Sequence, residues 1–372
     1  MDVTTPRQIG NSSLSVTPLG FGGGQLGSPF VTNDESLKTI QSAWDNGVRF
    51  YDTAPYYGLG RSERRLGMAL TGVGEDNLAA PRDEFAVNTK VGKTLVPEPE
   101  RDASQKTMTP GGEVRTPRDP WSGFRLHYDY SYEAILHQHQ DSLQRMALPS
   151  IDSLTIHDID LGTHNPEQIE NHLEELSPKG GGGALALQTL RDSGAIKAIG
   201  CGCNLESKNA YSWENSDHED LQERIIDLVD LDFLIVAGGY TLLETRAFRR
   251  LMPLCEEKNI GIIIAAPFAG GWLVAPEEEG TTYMYAPPSD EIVQHARKMS
   301  SICEEHGVPL AAAAIQFTLA HPCVAAVIPG SKTPLEAAQN YEYMHTEIPD
   351  AVWTDFKSEG LLNPDVPTPD QV

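Results

Sequence analysis

The stretch Val48-Arg49-Phe50-Tyr51-Asp52-Thr53-Ala54-Pro55-Tyr56-Tyr57-Gly58 decides how this chain is read. Its first half is a short β-rich run. Its second half is a loop that opens on a carboxylate and closes on two tyrosines. Upstream, Leu37, Ile40 and Trp44 fall at helical spacing and Gly47 stops the run; downstream, Leu66, Ala69 and Leu70 form a second helical stripe. Working outward, the same alternation recurs along the whole chain. Candidate strands lie at 19–22, 48–52, 85–91, 153–157, 198–201, 232–236, 261–266 and 324–328. Helical segments between them are marked by Ile135, His139 and Leu143, by Leu187 and Leu190 ahead of Gly194, and by 311–319 and 335–341.

Alternating β and α elements imply parallel strands with right-handed crossovers. An open doubly wound sheet also fits that alternation. About eight units with no mid-chain break in composition favour a closed (β/α)8 TIM barrel, expected as one domain over 1–372 with its core at about 9–345. Arg7-Gln8-Ile9-Gly10 and Leu14-Ser15-Val16 read as an N-terminal β-hairpin capping the barrel bottom. Long loops are expected at 92–125, 177–183 and 275–289. The first and third follow strands three and seven, which puts them on the C-terminal face, where barrels carry function. Trp121 and Phe124 are candidate walls of a pocket there.

With 28 Lys and Arg against 53 Asp and Glu, the net charge is −25. A phosphate backbone would be repelled, so sequence-independent nucleic-acid binding is not expected. The acidity fits either a salty cytoplasm or simple solubility. The longest apolar candidate, 260–272, contains Pro267 and falls short of the roughly 18 residues a membrane span needs. Met1-Asp2-Val3-Thr4-Thr5-Pro6 lacks the pattern of a signal peptide. The expectation is a cytoplasmic protein, monomer or homo-oligomer, acting on a small molecule without membrane or nucleic-acid partners. Cys201, Cys203, Cys255, Cys303 and Cys323 are odd in number and lack CxxC spacing, so reduced, buried thiols are expected, with no disulfide framework and no metal.

Some motifs lead nowhere. Gly22-Gly23-Gly24-Gln25-Leu26-Gly27 matches GxGxxG, but Ser28-Pro29-Phe30 follows where a dinucleotide fold starts its helix. Lys179 precedes the glycines 180–183, the reverse of a P-loop. His137 and His139 are two apart on a helix, which keeps their rings on different faces. The strand ends say more. Strand two ends at Asp52 with Tyr56 and Tyr57 beyond it, strand three at Lys90, and strand four at His157. Singly, each has a plain structural reading as an ion pair, a packed tyrosine or a core histidine. Together at the C-terminal ends of successive strands they form a general acid/base constellation.

These residues carry a resemblance to the aldo-keto reductases, running from about Ile9 to about Tyr341. Its carriers are Leu14-Ser15-Val16-Thr17-Pro18-Leu19-Gly20-Phe21-Gly22, Asp52-Thr53-Ala54-Pro55-Tyr56-Tyr57-Gly58, Thr89-Lys90, Ile156-His157 and Ile328-Pro329-Gly330-Ser331-Lys332-Thr333-Pro334. The resemblance implies a catalytic tetrad of Asp52, Tyr57, Lys90 and His157, since the pattern Asp-Thr-Ala-x-x-Tyr-Gly selects Tyr57 rather than Tyr56. Within the superfamily the chain is similar to the aldose 1-dehydrogenase branch, through Ile199-Gly200-Cys201-Gly202-Cys203-Asn204, 233–243 and Ala266-Pro267-Phe268. Members of that branch oxidise sugars such as L-fucose, L-galactose or D-arabinose at C1. A pyridoxal 4-dehydrogenase belongs to it too. The implied activity is NAD(P)-dependent oxidation of an aldose to its lactone. The alternatives are a pyridoxal 4-dehydrogenase, a general aldehyde or ketone reductase, or, in another class, a cofactor-binding regulatory subunit.

The resemblance also implies cofactor contacts from Gly22, Gly23, Asn204, Phe268, Gly270, Gly271, Gly330, Ser331, Lys332, Glu336, Gln339 and Asn340. Many relatives have Ser-Asn after strand five and a Gln after strand six. Here Cys203-Asn204 and Ala237 stand there, which leaves Asn204 as the carboxamide ligand, and Ala265 replaces a stacking tyrosine. NADP-preferring relatives commonly carry Lys and Arg where this chain has Gly330 and Glu336. That substitution implies NAD in preference to NADP, with Lys332 pulling the other way.

Overall fold

The computed structural model describes residues 5–72, 78–98, 107–108, 114–115, 123–204, 217–276, 283 and 288–372. Its centre is one parallel sheet of eight strands: β1 Phe21–Gly22, β2 Phe50–Asp52, β3 Ala86–Val91, β4 Ser153–His157, β5 Ala198–Asn204, β6 Phe233–Ala237, β7 Gly261–Ala265 and β8 Val324–Ile328. Each strand pairs with its sequence neighbour. The sheet closes on itself through parallel bridges Leu19–Val327 and Gly22–Gly330, with Gly20 N donating to Val327 O at 2.9 Å. The fold is thus the expected (β/α)8 barrel. Strand boundaries lie within two residues of those read from the sequence, the margin within which such ends are defined at all, except that β5 runs three residues further, to Asn204.

Around the strands run α1 Asn33–Asp45, α2 Arg61–Thr71, α3 Tyr132–Met146, α4 Pro166–Leu176, α5 Gly183–Asp192, α6 Asp217–Leu228, α7 Leu251–Lys258, α8 Asp290–Glu305, α9 Leu310–Thr318, α10 Pro334–His345 and α11 Asp350–Ser358. Alternation along each strand gives two apolar layers. One lies between strands and helices. The other fills the barrel, where Phe50, Phe233, Ile235, Ile263 and Ile328 meet Ile9, Leu14 and Val16. Those last three belong to the hairpin Arg7–Gln8 and Ser15–Val16, which plugs the barrel from its N-terminal end. Gly200 makes room for this packing: a Cβ there would sit 2.4 Å from the Phe233 ring.

The loops differ from expectation. The two ends of 92–125 form an antiparallel ladder, Lys93–Pro97 against Phe124–Tyr128, which places Lys93 opposite Tyr128 at the barrel mouth. Phe124 stands opposite Pro97 at the other end of that ladder, and Trp121 lies outside the described residues. Residues 177–183 are a tight turn between α4 and α5, with Gly182 at φ 77°, so the glycine run joins two helices. Most of 275–289 lies outside the described residues.

The loop after β2 is held by contact with the segment after β1. Gly58 has φ 63°, and a Cβ on it would lie 2.1 Å from Gly27 O. Arg61 Nη1 donates to the same carbonyl at 2.9 Å. Both the positive φ and the contact exclude a side chain. Gly58→Ala is expected to cost about 1–3 kcal/mol, read as a lower urea midpoint; an unchanged midpoint would show that this contact does not fix the loop.

Candidate active site

At the C-terminal mouth of the barrel, Lys90 Nζ donates to both carboxylate oxygens of Asp52, at 2.8 and 2.7 Å, and to Thr53 O at 2.9 Å. Neither side chain is more than 4% exposed. The register of β2 with β3 sets Asp52 opposite Asn88, whose Nδ2 donates to Asp52 Oδ1 at 2.7 Å. Asn88 Oδ1 in turn accepts from Ser153 Oγ and Thr155 Oγ1 on β4. Asn88 and Lys90 are two apart on one strand and share a face. A polar chain therefore runs across three strands. Burial pushes the Lys90 pKa down, and Asp52 only partly opposes it.

Two tyrosines lie over two lysines. Lys90 Nζ is 4.6 Å from the ring centre of Tyr57, and Lys93 Nζ is 4.5 Å from that of Tyr56. The Tyr57 ring is perpendicular to that of His157 with centroids 5.9 Å apart. His157 is buried, and burial, with Lys93 and Lys90 adding to it against Asp158, holds its pKa well below the ordinary histidine value. Its ring is neutral at neutral pH. All four expected tetrad residues are thus brought together, with Tyr57 rather than Tyr56 beside the Lys90–Asp52 pair.

The structure adds a group that the sequence reading passed over. Lys93 is buried and ion-paired with Asp158, whose Oδ2 is also 3.3 Å from His157 Nε2. Asp158 has φ 54°, a strained backbone directly after the histidine. Burial raises the Asp158 pKa, but His157, Lys93 and Lys90 outweigh it and hold the carboxyl well below its ordinary range. Asn204 Nδ2 donates to Asp158 Oδ1 at 3.2 Å and to Asp160 Oδ2 at 2.7 Å. Burial and the Asp158 charge push Asp160 up. Asp160 Oδ1 and His164 Nε2 are buried with no hydrogen-bond partner among the described residues. Tyr128 completes the cluster, its ring 4.6 Å from that of His164. The Lys-Val-Gly-Lys spacing of 90–93 and the Asp-Ile-Asp of 158–160 were the available signals.

The expected cofactor residues gather on the same face. Gly22 pairs with Gly330, and Gly23 N donates to Asp52 O at 2.7 Å, an approach so close that a Cβ on Gly23 would lie 2.5 Å from that oxygen. Beyond β8, α10 begins at Pro334 with Thr333 as its cap. Ser331 is buried and accepts from Asn340 Nδ2 at 3.0 Å, and Gln339 is half-buried on the same helix. Lys332 is exposed; its backbone N donates to Glu336 Oε2 at 2.6 Å. After β7, Ala269, Gly270 and Gly271 have φ of 49°, 75° and 112°, and Phe268 beside them reaches the Tyr343 ring of α10 at 6.4 Å. In general a left-handed turn and a helix N-terminus suit anions. Here several of their amides are already engaged within the turns. The fit to a dinucleotide rests on the small residues Gly22, Gly23, Gly270, Gly271 and Gly330 and on the Ser331 hydroxyl lying between the loops after β7 and β8.

The sequence profile of the Aldo/keto reductase family matches residues 18–359. A D-threo-aldose 1-dehydrogenase from a Pseudomonas species is 35% identical over 96% of this chain and 97% of its own length. A pyridoxal 4-dehydrogenase from Microbacterium luteolum is 33% identical over 96% of this chain and 98% of its own. Among solved structures, a glycerol dehydrogenase from Gluconobacter oxydans superposes with a TM-score of 0.67 over 99% of this chain and 98% of that one; at 21% identity it shares the fold.

Stranding the Lys90 ammonium tests the charge pair. Asp52→Ala is expected to destabilise the protein by about 3–5 kcal/mol, because an uncompensated buried charge remains. Pairing Asp52→Leu with Lys90→Met is expected to recover most of that loss. Chemical denaturation of the three proteins reads this directly, and a single variant as stable as the parent would contradict it.

Proposed function

The chain belongs to the aldo/keto reductase family and is an oxidoreductase, and we propose that its reaction is the nicotinamide-dependent oxidation of an aldose at C1 to the lactone. The observation that carries this reading is the Lys90–Asp52 pair set 4.6 Å under the ring of Tyr57. A free phenol titrates near pH 10. An ammonium beside it favours the phenolate, and Asp52 keeps that ammonium charged and aimed. Tyr57 then takes the proton of the C1 hydroxyl as the C1–O bond becomes the lactone carbonyl. His157, neutral and perpendicular to Tyr57, orients the reacting oxygen by hydrogen bonding. When bound, the nicotinamide supplies the hydride acceptor.

The other residues hold the reactants in place. Asn204 has its amide nitrogen engaged by Asp158 and Asp160 and presents its carbonyl oxygen to the carboxamide. The Ser331 hydroxyl and the segments after β7 and β8 would receive the diphosphate, although Ala269 N, Gly271 N, Lys332 N and Glu336 N are already engaged within their own turns. Gly22, Gly23 and Gly330 allow the backbone to come close. Lys93, Asp160 and His164 are buried beside the rings of Tyr56 and Tyr128, and Tyr56 is the exposed member of the group that a polyhydroxylated ring would meet. The aldose relative shares this length and degree of identity, which supports a sugar; the pyridoxal relative makes that aldehyde the competing substrate.

The cofactor choice turns on Glu336. Its carboxylate is folded back onto Lys332 N at the start of α10, where the adenosine end is expected. A fixed negative charge there accepts from ribose hydroxyls and repels a 2′-phosphate. NAD is the preferred cofactor in this reading.

Two measurements test it. Tyr57→Phe is expected to lower kcat by at least the 10²–10⁴-fold that a general acid/base group contributes, while NAD affinity, read by protein fluorescence, changes little. Near-normal turnover would remove Tyr57 from the chemistry. On the best substrate from a screen of free aldoses and pyridoxal, kcat/KM is expected to favour NAD over NADP, and Glu336→Gln to narrow the gap. An NADP advantage in the parent protein would mean that Lys332 outweighs Glu336.

A further inference from the structure

Far from the mouth, the turn from α9 into β8 carries His321 and Cys323, and α7 carries Glu256. Cys323 Sγ lies 3.0 Å from His321 Nδ1, and Glu256 Oε1 lies 3.9 Å from the same nitrogen. The three candidate ligand atoms all fall within 4.8 Å of one another. His321 is buried, Cys323 half-buried and Glu256 exposed, so the cluster opens to solvent on its carboxylate side. A second observation lies beside it. Tyr240, packed edge-on to the His321 ring at 6.0 Å, is wholly buried, yet its hydroxyl has no hydrogen-bond partner among the described residues.

Chemistry narrows what such a cluster takes. Thiolate, imidazole and carboxylate together suit zinc and similar divalent first-row ions, which bind such atoms at about 2.0–2.3 Å in tetrahedral geometry. Tetrahedral bonds of that length separate sulfur from nitrogen by roughly 3.5 Å, a small opening of the present 3.0 Å contact. His321 and Cys323 sit two apart in one turn, so a single ion can be chelated without backbone rearrangement. Cys323 O accepts from Ile262 N at 2.8 Å and Cys255 O from Ile260 N at 2.8 Å, which fixes both sides of the cluster to the start of β7.

We propose that Cys323, His321 and Glu256 form a binding site for a zinc-like divalent cation, clipping the end of α7 to the start of β8 on the outside of the barrel. Binding exchanges the thiol proton for the metal: the S–H bond breaks, the metal–sulfur bond forms, and the proton goes to solvent. The fourth position is left to water or to the Tyr240 hydroxyl. The groups facing the thiol are His321 beside it, Cys255 and Glu256 from α7, and Tyr240. The length of β8, five residues at about 3.3 Å each, separates the clip from Gly330 and Ser331.

The test is titration of chelator-treated full-length protein with Co2+ alone, followed by Zn2+. One equivalent is expected to bind, with a thiolate-to-cobalt charge-transfer band in the near ultraviolet and the intense visible bands of four-coordination. Zn2+ is expected to bleach both and to raise the melting temperature. Cys323→Ser should abolish the charge-transfer band. Glu256→Gln, an exposed change that leaves the fold intact, should weaken Co2+ binding at least tenfold with basal oxidoreductase activity unchanged. Absence of the band in the parent protein, its survival in Cys323→Ser, or Co2+ affinity unaffected by Glu256→Gln would overturn the proposal.

Discussion

A lysine and an aspartate, both nearly excluded from water, sit 2.7 Å apart at the mouth of this barrel, and the arrangement of the site depends on that pair. Removing each ion from water costs several kcal/mol, and attraction alone offsets that only when the remaining lone pairs and protons are satisfied. Here they are. Thr53 O and Asn88 take up the remaining valences, and Asn88 is itself held by Ser153 and Thr155. These partners come from β2, β3 and β4, so the pair is complete only when the strands are in register. The chemistry of the mouth is therefore conditional on the register of β2, β3 and β4. This also explains why the cation lies under one tyrosine and not its neighbour: Lys90 is fixed by the pair, and Gly58 fixes the turn that carries Tyr57 above it.

How much of this could be read from the chain depended on distance along it. Asp52, Lys90 and His157 were legible because each ends a short apolar run, and a polar residue there faces the mouth of a parallel barrel. Tyr57 was separable from Tyr56 only through the family pattern, since both follow the same strand. Lys93 was not legible. Its burial needs the ladder with Phe124–Tyr128, about thirty residues away across a Pro- and Gly-rich segment that reads as loop. Glu63 and Arg65 were hidden for another reason. Arg61-Ser62-Glu63-Arg64-Arg65 looks like a solvated helix face, yet Glu63 is fully buried against Thr89 and Arg145, and Arg65 binds the carbonyls of Leu26 and Val31. Polar pattern reads exposure, and a buried charge with all its partners breaks that rule. The Glu256–His321–Cys323 group escaped because ligand spacing was sought within one segment, whereas the fold supplies the third member from another helix.

The net charge of −25 needs reconciling with a dinucleotide site. At physiological ionic strength the screening length is about 8 Å, so distant surface carboxylates count for little at the mouth. What a diphosphate would meet in the proposed reading is local: the turn at 269–271, the start of α10 and the hydroxyl of Ser331. Glu336, at the start of α10, has its carboxylate turned back onto a backbone amide. In the proposed reading its charge would bear on the ribose end and leave the diphosphate to the backbone. A strongly acidic surface and an anion-binding mouth are therefore compatible, because one is set by bulk charge and the other by a few oriented N–H groups.

Strand β8 shows how the barrel keeps separate tasks on one element. Its residues Val324–Ile328 are all buried, and close packing holds the two ends of the strand at a fixed separation. At its C-terminal end the chain turns through Gly330 and Ser331 into the cofactor face. At its N-terminal end stands Cys323, against α7. The two ends of the strand open onto opposite faces of the barrel, of which the C-terminal one carries chemistry and the N-terminal one bears on stability. In this chain that division is visible within nine residues, from Cys323 to Ser331.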